Sequence, residues 1–426
     1  MDLSPPRGTE DLLPPVSGVM GELYRRAHAA ARLFGYRYVE TPGFEATELF
    51  ARTSGETSDV VSKEMYTFLD RSERSLTLRP EGTAPVVRAY LAHSHELGTP
   101  FKAFYVNQAW RYSRPQKGRL REFRIFGAEV LGVAGPAADV EIVALAARFL
   151  ADAGLSRVDL QVNSIGDENC RPAYRQALVE YLESQVSRLR DEHRDRFRDN
   201  PLRVLDCKDP ACREVALDAP RITDHLDAAC KEHFDAVLAG LEEEGIAATV
   251  ESTLVRGLDY YTRTAFEFVH RDLSPSQSTV CGGGRYDGLA EVLGGPPTPG
   301  VGFGMGLDRV VLALQAEGVE LDTPPPLDVF VVAFGPGAEP RGREVVRVLR
   351  ASGVAAEGAL EERPLKAQLK MADRAGARFA VIVGEREAEA GEATVRRMKD
   401  GTQQTVPLTD VATWIAAQQD AAEPPA

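Results

Sequence analysis

Between Val16 and Phe34 the apolar residues Val16, Val19, Met20, Leu23, Ala27, Ala30, Ala31 and Phe34 recur at intervals of three and four. That spacing lines one face of a helix, and Gly35 follows as its stop signal. The pattern then changes. Residues 64–69 and 76–79 flank the polar run Asp70-Arg71-Ser72-Glu73-Arg74-Ser75, which predicts a hairpin. Residues 101–112 and 120–131 predict two longer strands around a loop that holds Pro115 and Gly118. Strands joined through hairpins imply an antiparallel sheet, and helices predicted at about 138–153 and 306–317 would cover one of its faces.

From about 168 to 248 the chain is charged, helix-favouring and poor in strand signals, and the sheet pattern resumes near Leu254. A helical insertion is the simplest account. After the linker-like run Thr323-Pro324-Pro325-Pro326, apolar strand candidates at 329–334 and 379–383 alternate with helical ones at 339–351 and 364–375. This order predicts a small α/β domain on a largely parallel sheet. The chain therefore reads as α+β: a core over 1–325, interrupted by the 168–248 insertion, then a domain over 327–420 and a frayed tail at 421–426.

Composition changes this picture little. At 426 residues the chain exceeds one comfortable core, and 43% hydrophobic with 27% charged residues is ordinary for a globular protein rather than a disordered one. The first residues carry no basic and apolar leader pattern, and no apolar run approaches the roughly 20 residues of a membrane span. Five cysteines, an odd number, point to reduced thiols and a cytoplasmic setting. The net charge of −14 hides a local exception. Between Trp110 and Arg124 lie Arg111, Arg114, Lys117, Arg119, Arg121 and Arg124 against the single acid Glu122, a basic loop suited to an anionic partner.

Three distant segments carry candidate chemistry: Thr41-Pro42-Gly43-Phe44-Glu45, Trp110-Arg111, and Gly302-Phe303-Gly304-Met305-Gly306-Leu307-Asp308-Arg309. Glycines two apart leave one face of a strand flat enough for a planar ring. Arginines at the flanks match phosphate oxygens in geometry and charge. The glycine run is neither a Walker loop nor a dinucleotide fingerprint.

In that order and spacing the segments resemble motifs 1, 2 and 3 of the class II aminoacyl-tRNA synthetases. Four further stretches are similar to the histidyl type: Arg7-Gly8-Thr9-Glu10-Asp11, Leu78-Arg79-Pro80-Glu81-Gly82-Thr83, Leu254-Val255-Arg256-Gly257-Leu258-Asp259-Tyr260-Tyr261, and Gly282-Gly283-Gly284-Arg285-Tyr286-Asp287-Gly288. Arg114-Pro115-Gln116-Lys117-Gly118-Arg119 fits the same pattern. The resemblance implies a class II antiparallel core, a C-terminal anticodon-binding domain and a homodimer. It implies ATP-dependent activation of histidine to an adenylate, with Mg²⁺ bridging phosphate oxygens, and transfer to the 3′ end of tRNA(His). Arg111 and Arg256 would hold the α-phosphate and the attacking carboxylate, with Arg119 and Arg309 on ATP. Glu81 and Thr83 would take the amino group. Glu129, Tyr260, Tyr261 and Tyr286 would line the imidazole pocket, and Arg114, Gln116 and Lys117 would meet the tRNA acceptor end.

The sequence departs from the family pattern twice: Ser113 stands where motif 2 carries an acid, and Ile125 where the histidyl type carries glutamine. These changes also suit a histidyl-synthetase-like regulatory subunit of ATP phosphoribosyltransferase. Such paralogues typically lack the arginine that matches Arg256 and the C-terminal domain. Cys207, Cys212, His225 and Cys230 form Cys-x4-Cys-x12-His-x4-Cys. Ala216 in place of a core aromatic, inside a larger helical region, argues against a zinc finger, so no protein-ligated metal is expected.

Overall fold

The computed structural model describes residues 3–54, 64–205, 207, 209–255, 260–321 and 327–420. Arg256, the linker-like run 323–326 and the tail at 421–426 therefore lie outside the described residues. The chain divides into two compact units, Met1–Leu321 and Asp322–Ala426.

The first unit is organised by an eight-stranded sheet. Its strands run in the order Arg37–Tyr38, Phe101–Trp110, Glu122–Leu131, Gly300–Gly306, Thr279–Arg285, Thr262–His270, Val158–Ser164 and Ala248–Val250. The two outermost pairings are parallel and the five between them antiparallel. Side chains alternate across this sheet, and the alternation sorts them into two cores. Phe126, Ala128, Val130, Val301, Phe303 and Met305 pack against Val16–Leu33, Ala137–Asp152 and Leu307–Glu317. Ala103, Tyr105 and Ile125 face the opposite way, with Val86, Val87 and Tyr90 of helix Thr83–Leu97.

The first helix forms as the periodicity predicts, with Phe34 at its cap and Gly35 at φ +74° where a side chain would be strained. The predicted hairpin is Thr67–Leu69 with Ser75–Leu78, and Asp70 closes its turn by accepting from the Ser72 and Arg74 amides. Between Ser164 and Ala248 the described residues hold helices and no strand, the longest being Arg171–Ser184 and Ala228–Glu243.

The second unit corrects one expectation. Leu327–Ala333 does pair in parallel with Ala356–Gly358 and Ala377–Val383, but the sheet continues antiparallel through Glu392–Arg397 to Gln403–Pro407. Half of its pairings are thus antiparallel. The last of these pairings is a hairpin at Asp400-Gly401, where Gly401 takes φ +74° and Asp400 accepts from the Thr402 amide and hydroxyl, and the short helix Glu385–Ala390 returns the chain antiparallel to Ala377–Val383 before it.

Candidate active site

The strand Glu122–Leu131 carries an acid into the sheet. Ile125, Gly127 and Glu129 face away from the helical layer, so alternation alone drives Glu129 into an enclosed space, where it is fully buried. A carboxylate there needs donors. It has three: the hydroxyls of Tyr286 at 2.5 Å, Thr83 at 2.7 Å and Tyr105 at 3.0 Å. Burial pushes its carboxyl up to about 8, against the opposing pull of these hydroxyls, while the neighbouring Glu81 adds to the rise.

Glycines make room for this arrangement. A Cβ on Gly302, directly across the ladder from Glu129, would lie 1.7 Å from the Glu129 Oε2. Gly82 and Gly127 abut the Tyr105 ring, where a Cβ would lie 2.3 and 2.2 Å from ring atoms, and Gly300 abuts the Tyr286 ring. Gly304 differs. It is exposed, and a Cβ there would meet only the Ile125 Cγ2 at 3.9 Å. The flat floor expected from the glycine run is open at Gly304, whereas Gly302 is already covered by Glu129.

Glu81 and Thr83 start helix Thr83–Leu97. The Glu81 carboxylate accepts from the Thr83 and Ala84 amides, satisfying two of the orphan donors at the helix start. Burial raises its pKa despite those bonds and the nearby Arg111. Tyr260 stacks obliquely on Tyr261, with centroids 4.7 Å apart, and meets the Tyr286 ring edge-on at 5.9 Å. Burial raises the Tyr260 hydroxyl well above its ordinary range, with the charges of Glu81 and Glu129 contributing.

Beyond the open floor stand three guanidinium groups. The Arg111 Nε donates to the Pro80 carbonyl at 2.8 Å, and its plane lies near the Phe123 ring. Arg309 donates to the Gly118 and Thr279 carbonyls, fastening the basic loop to helix Leu307–Glu317. Arg119 pairs with Glu64 at 2.8 Å. The three lie within electrostatic reach of one another: burial lowers the pKa of Arg309, and the charges of Arg119 and Arg111 lower it further. Arg111 is likewise lowered by burial, and Arg119 adds to the shift. Arg114, Gln116 and Lys117 are exposed at the tip of this loop.

Some partners are not visible in the spacing. Tyr105 stands next to Phe104, and only the register Tyr105↔Gly127 shows which of the two faces Glu129. Glu64 supplies an acid near Arg111 and Arg119, its carbonyl accepting from the Tyr112 amide. Ser113, where an acid is usual, is buried with its hydroxyl unpartnered. Ile125 forms an apolar wall beside Gly304. Cys207 and Cys212 do not join His225, whose ring packs 5.7 Å from Tyr174, nor Cys230, which sits with Asp167, Cys170 and Asp227.

An antiparallel sheet with a glycine-floored face between a buried acid pocket and three arginines, beside helix Leu307–Glu317, is the architecture of a class II aminoacyl-tRNA synthetase. The histidyl-tRNA synthetase family model matches residues 8–310, and an anticodon-binding domain model matches 328–418. The chain is 48% identical to the histidine–tRNA ligase of Moorella thermoacetica, covering 98% of this chain and 99% of that one. It is also 48% identical to that of Rhodococcus erythropolis, over 96% of both chains. The crystal structure of apo S. aureus histidyl-tRNA synthetase superposes with a TM-score of 0.81 at 36% identity, covering 97% of this chain and all of that one. The chain belongs to the histidyl-tRNA synthetase family.

Proposed function

We propose that this chain is a histidine–tRNA ligase that joins histidine to ATP as histidyl-adenylate and passes it to the 3′ end of tRNA(His). The observation that carries the reading is the pairing of one pocket with one floor. Glu129, opposite Gly302, lies two residues from the open Gly304, about 7 Å along the strand. Helix Leu307–Glu317, which bears Arg309, starts just beyond Gly306. Imidazole in the pocket and adenine on the floor would bring the histidine carboxylate to the phosphates beside the arginines.

Each group then has a task. The imidazole N–H donates to Glu129, and the Tyr261 hydroxyl serves the other ring nitrogen. The α-ammonium donates to the Glu81 carboxylate and the Thr83 hydroxyl oxygen, both of which retain acceptor capacity. Tyr260 and Tyr286 close the apolar sides. The histidine carboxylate is ionised at neutral pH and attacks the α-phosphorus in line as the bond to the β-phosphate breaks and pyrophosphate leaves, so positioning and charge stabilisation suffice. Arg111 holds the α-phosphate, Arg119 and Arg309 the remaining phosphates. The part given to Arg256 rests on the family resemblance. Mg²⁺ would offset phosphate charge, and the residues present fit it: Glu267 lies on the open face beside Gly282, near Arg309.

Arg111→Ala tests the assignment. The fold should persist, while histidine-dependent pyrophosphate exchange falls by roughly 10²–10³-fold, the loss typical of one charge-stabilising donor. Exchange within a few-fold of wild type would remove Arg111 from the phosphate site.

Arg114, Gln116 and Lys117 would meet the acceptor end, and residues 327–420 the anticodon. A chain ended after Leu321 should keep histidine-dependent exchange and lose tRNA charging by at least about 10²-fold, because two linked sites on one tRNA become one. Equal loss of both activities in a folded truncated protein would contradict this division. A homodimer belongs to the same proposal. Phe44, Phe68 and Leu69 are exposed on the small sheet formed by Phe44–Ala46, Ser75–Leu78 and Thr67–Leu69, an apolar surface for a second copy. Among the described residues no helix is long and apolar enough to cross a membrane, and all five cysteines are free. The free thiols support a cytoplasmic setting.

A further inference from the structure

The helical region between Ser164 and Ala248 contains a stretch built of very short elements. Its elements are a turn at Val186–Arg188, the four-residue helices Asp191–Arg194 and Leu202–Leu205, and Pro210–Leu217. Helices this short do not persist on their own, because nucleation costs more than so few hydrogen bonds return. Something must tie them together. Phe197, Val204 and Val215 supply an apolar centre, and beside it three side chains of a different kind converge.

His193 comes from the first four-residue helix, Cys207 follows the second, and Cys212 lies in Pro210–Leu217. The two sulfurs and an imidazole nitrogen all lie within 4.8 Å of one another. Cys212 is fully buried and Cys207 is 8% exposed. This set differs from the one the spacing suggested, since His225 and Cys230 are elsewhere and the histidine lies upstream of both cysteines.

We propose that His193, Cys207 and Cys212 form a structural site for a borderline-soft divalent cation, Zn²⁺ by the chemistry of its donors. Two thiolates and an imidazole are a recognised tetrahedral donor set for this ion, and soft sulfur ligands disfavour Mg²⁺ and Ca²⁺. Water would fill the fourth position of the tetrahedron, and Asp209 stands nearby without joining the three donors. One of its oxygens caps the helix by accepting from the Ala211 amide, and its charge is felt by both His193 and Cys212. The Arg190 guanidinium lies within hydrogen-bond reach of the Cys207 sulfur, an outer partner that steadies a thiolate ligand. Such an ion would fix three short helices to one point.

The second thiol cluster serves as a contrast. Asp167, Cys170, Asp227 and Cys230 also approach within 4.8 Å. Their geometry is accounted for by local bonds: Asp227 caps helix Ala228–Glu243 through the Cys230 amide, its own amide donates to the Cys170 sulfur, and Asp167 pairs with Arg263 and accepts from the Asn169 amide.

The test is Co²⁺ titration of the metal-stripped full-length protein, followed by absorption and then competition with Zn²⁺. The wild type should take up one equivalent, showing a thiolate-to-cobalt charge-transfer band that Zn²⁺ abolishes. Protein purified without chelator should contain about one zinc per chain by elemental analysis. Cys212→Ser and His193→Ala should each weaken binding by at least about 100-fold, while Cys170→Ser leaves the band intact. Absence of the band in wild type overturns the proposal even if every variant fails to fold. So does a band that survives Cys212→Ser, a band lost in Cys170→Ser, or mass analysis showing Cys207 and Cys212 joined as a disulfide in protein kept under thiol.

Discussion

Alanine at Gly302 should cost the protein most of its histidine activation together with about 3 kcal/mol or more of stability. The added methyl would stand 1.7 Å from the Glu129 Oε2 and 2.6 Å from the Ala128 carbonyl oxygen, so neither the side chain nor the backbone can stay in place. Overpacking of this kind costs about 1–3 kcal/mol. Glu129 would also have to leave the hydroxyls of Tyr286, Thr83 and Tyr105, stranding buried polar groups at about 1–3 kcal/mol each. Gly304→Ala provides the comparison within the same motif. Its methyl would enter open space, so stability should change by less than about 0.5 kcal/mol, as for an ordinary surface change. The affinity for ATP should fall instead, since the methyl stands on the adenine floor. Thermal denaturation and histidine-dependent pyrophosphate exchange distinguish the two glycines. A Gly302→Ala protein with wild-type melting and a wild-type KM for histidine would show that Glu129 does not occupy the seat described.

That contrast shows where the sequence is legible and where it is not. Glu129 is conspicuous because it is the single charged residue in the otherwise apolar run Ile125-Phe126-Gly127-Ala128-Glu129-Val130-Leu131, and such an acid calls for partners. The long hairpin and the helices predicted at about 138–153 and 306–317 form close to their expected places, and the first helix follows from its period and its stop signal at Gly35. The identity of the partners does not. Thr83 lies 46 residues from Glu129 and Tyr286 lies 157 away, so only the closed sheet brings their hydroxyls to one carboxylate. Glycines are ambiguous for the same reason. Gly302 and Gly304 look alike in the sequence, and what occupies the space above each is decided by the strand paired beside it. Arg285 is a further case: fully buried, it binds Asp139 and the Val133 and Gly135 carbonyls, joining the strand to helix Ala137–Asp152. Glu64 supplies an acid that the basic loop lacks within its own sequence at Ser113. The antiparallel end of the second sheet was marked by Asp400-Gly401, yet the strong strand–helix alternation before it favoured a parallel reading.

The Glu129 carboxyl should make both stability and histidine affinity depend on pH, in directions its environment sets. Burial lifts it from 4.5 to about 8, while the Tyr286, Thr83 and Tyr105 hydroxyls oppose the rise. Between those pH values the folded chain holds a proton that the unfolded chain has released, so folding takes up a proton there. The resulting stabilisation is fully present below pH 4.5 and fades as pH rises to about 8, by about 1.4 kcal/mol per unit and on the order of 5 kcal/mol in total. Glu129→Gln keeps the shape and cannot ionise, so the fall in melting temperature between pH 5 and 8.5 should be much smaller in that variant. Histidine binding reads the same proton. If the complex holds one proton between Glu129 and the imidazole, no net proton moves between about pH 6.5, where free imidazole titrates, and about pH 8, and affinity should be level across that interval. Below it the free ring must shed a proton, and above it the pair must gain one, so affinity should decline roughly tenfold per unit on either side. In Glu129→Gln affinity should fall by about 1.5–3 kcal/mol at neutral pH, the worth of a charge-assisted hydrogen bond. The upper decline should shrink to the share belonging to the α-amino group of histidine. Calorimetric titrations from pH 5.5 to 9 on both proteins provide the measurement. An unchanged pH profile in the variant would mean that Glu129 does not hold the imidazole, and the specificity of the pocket would then have to be sought at Tyr260 and Tyr261.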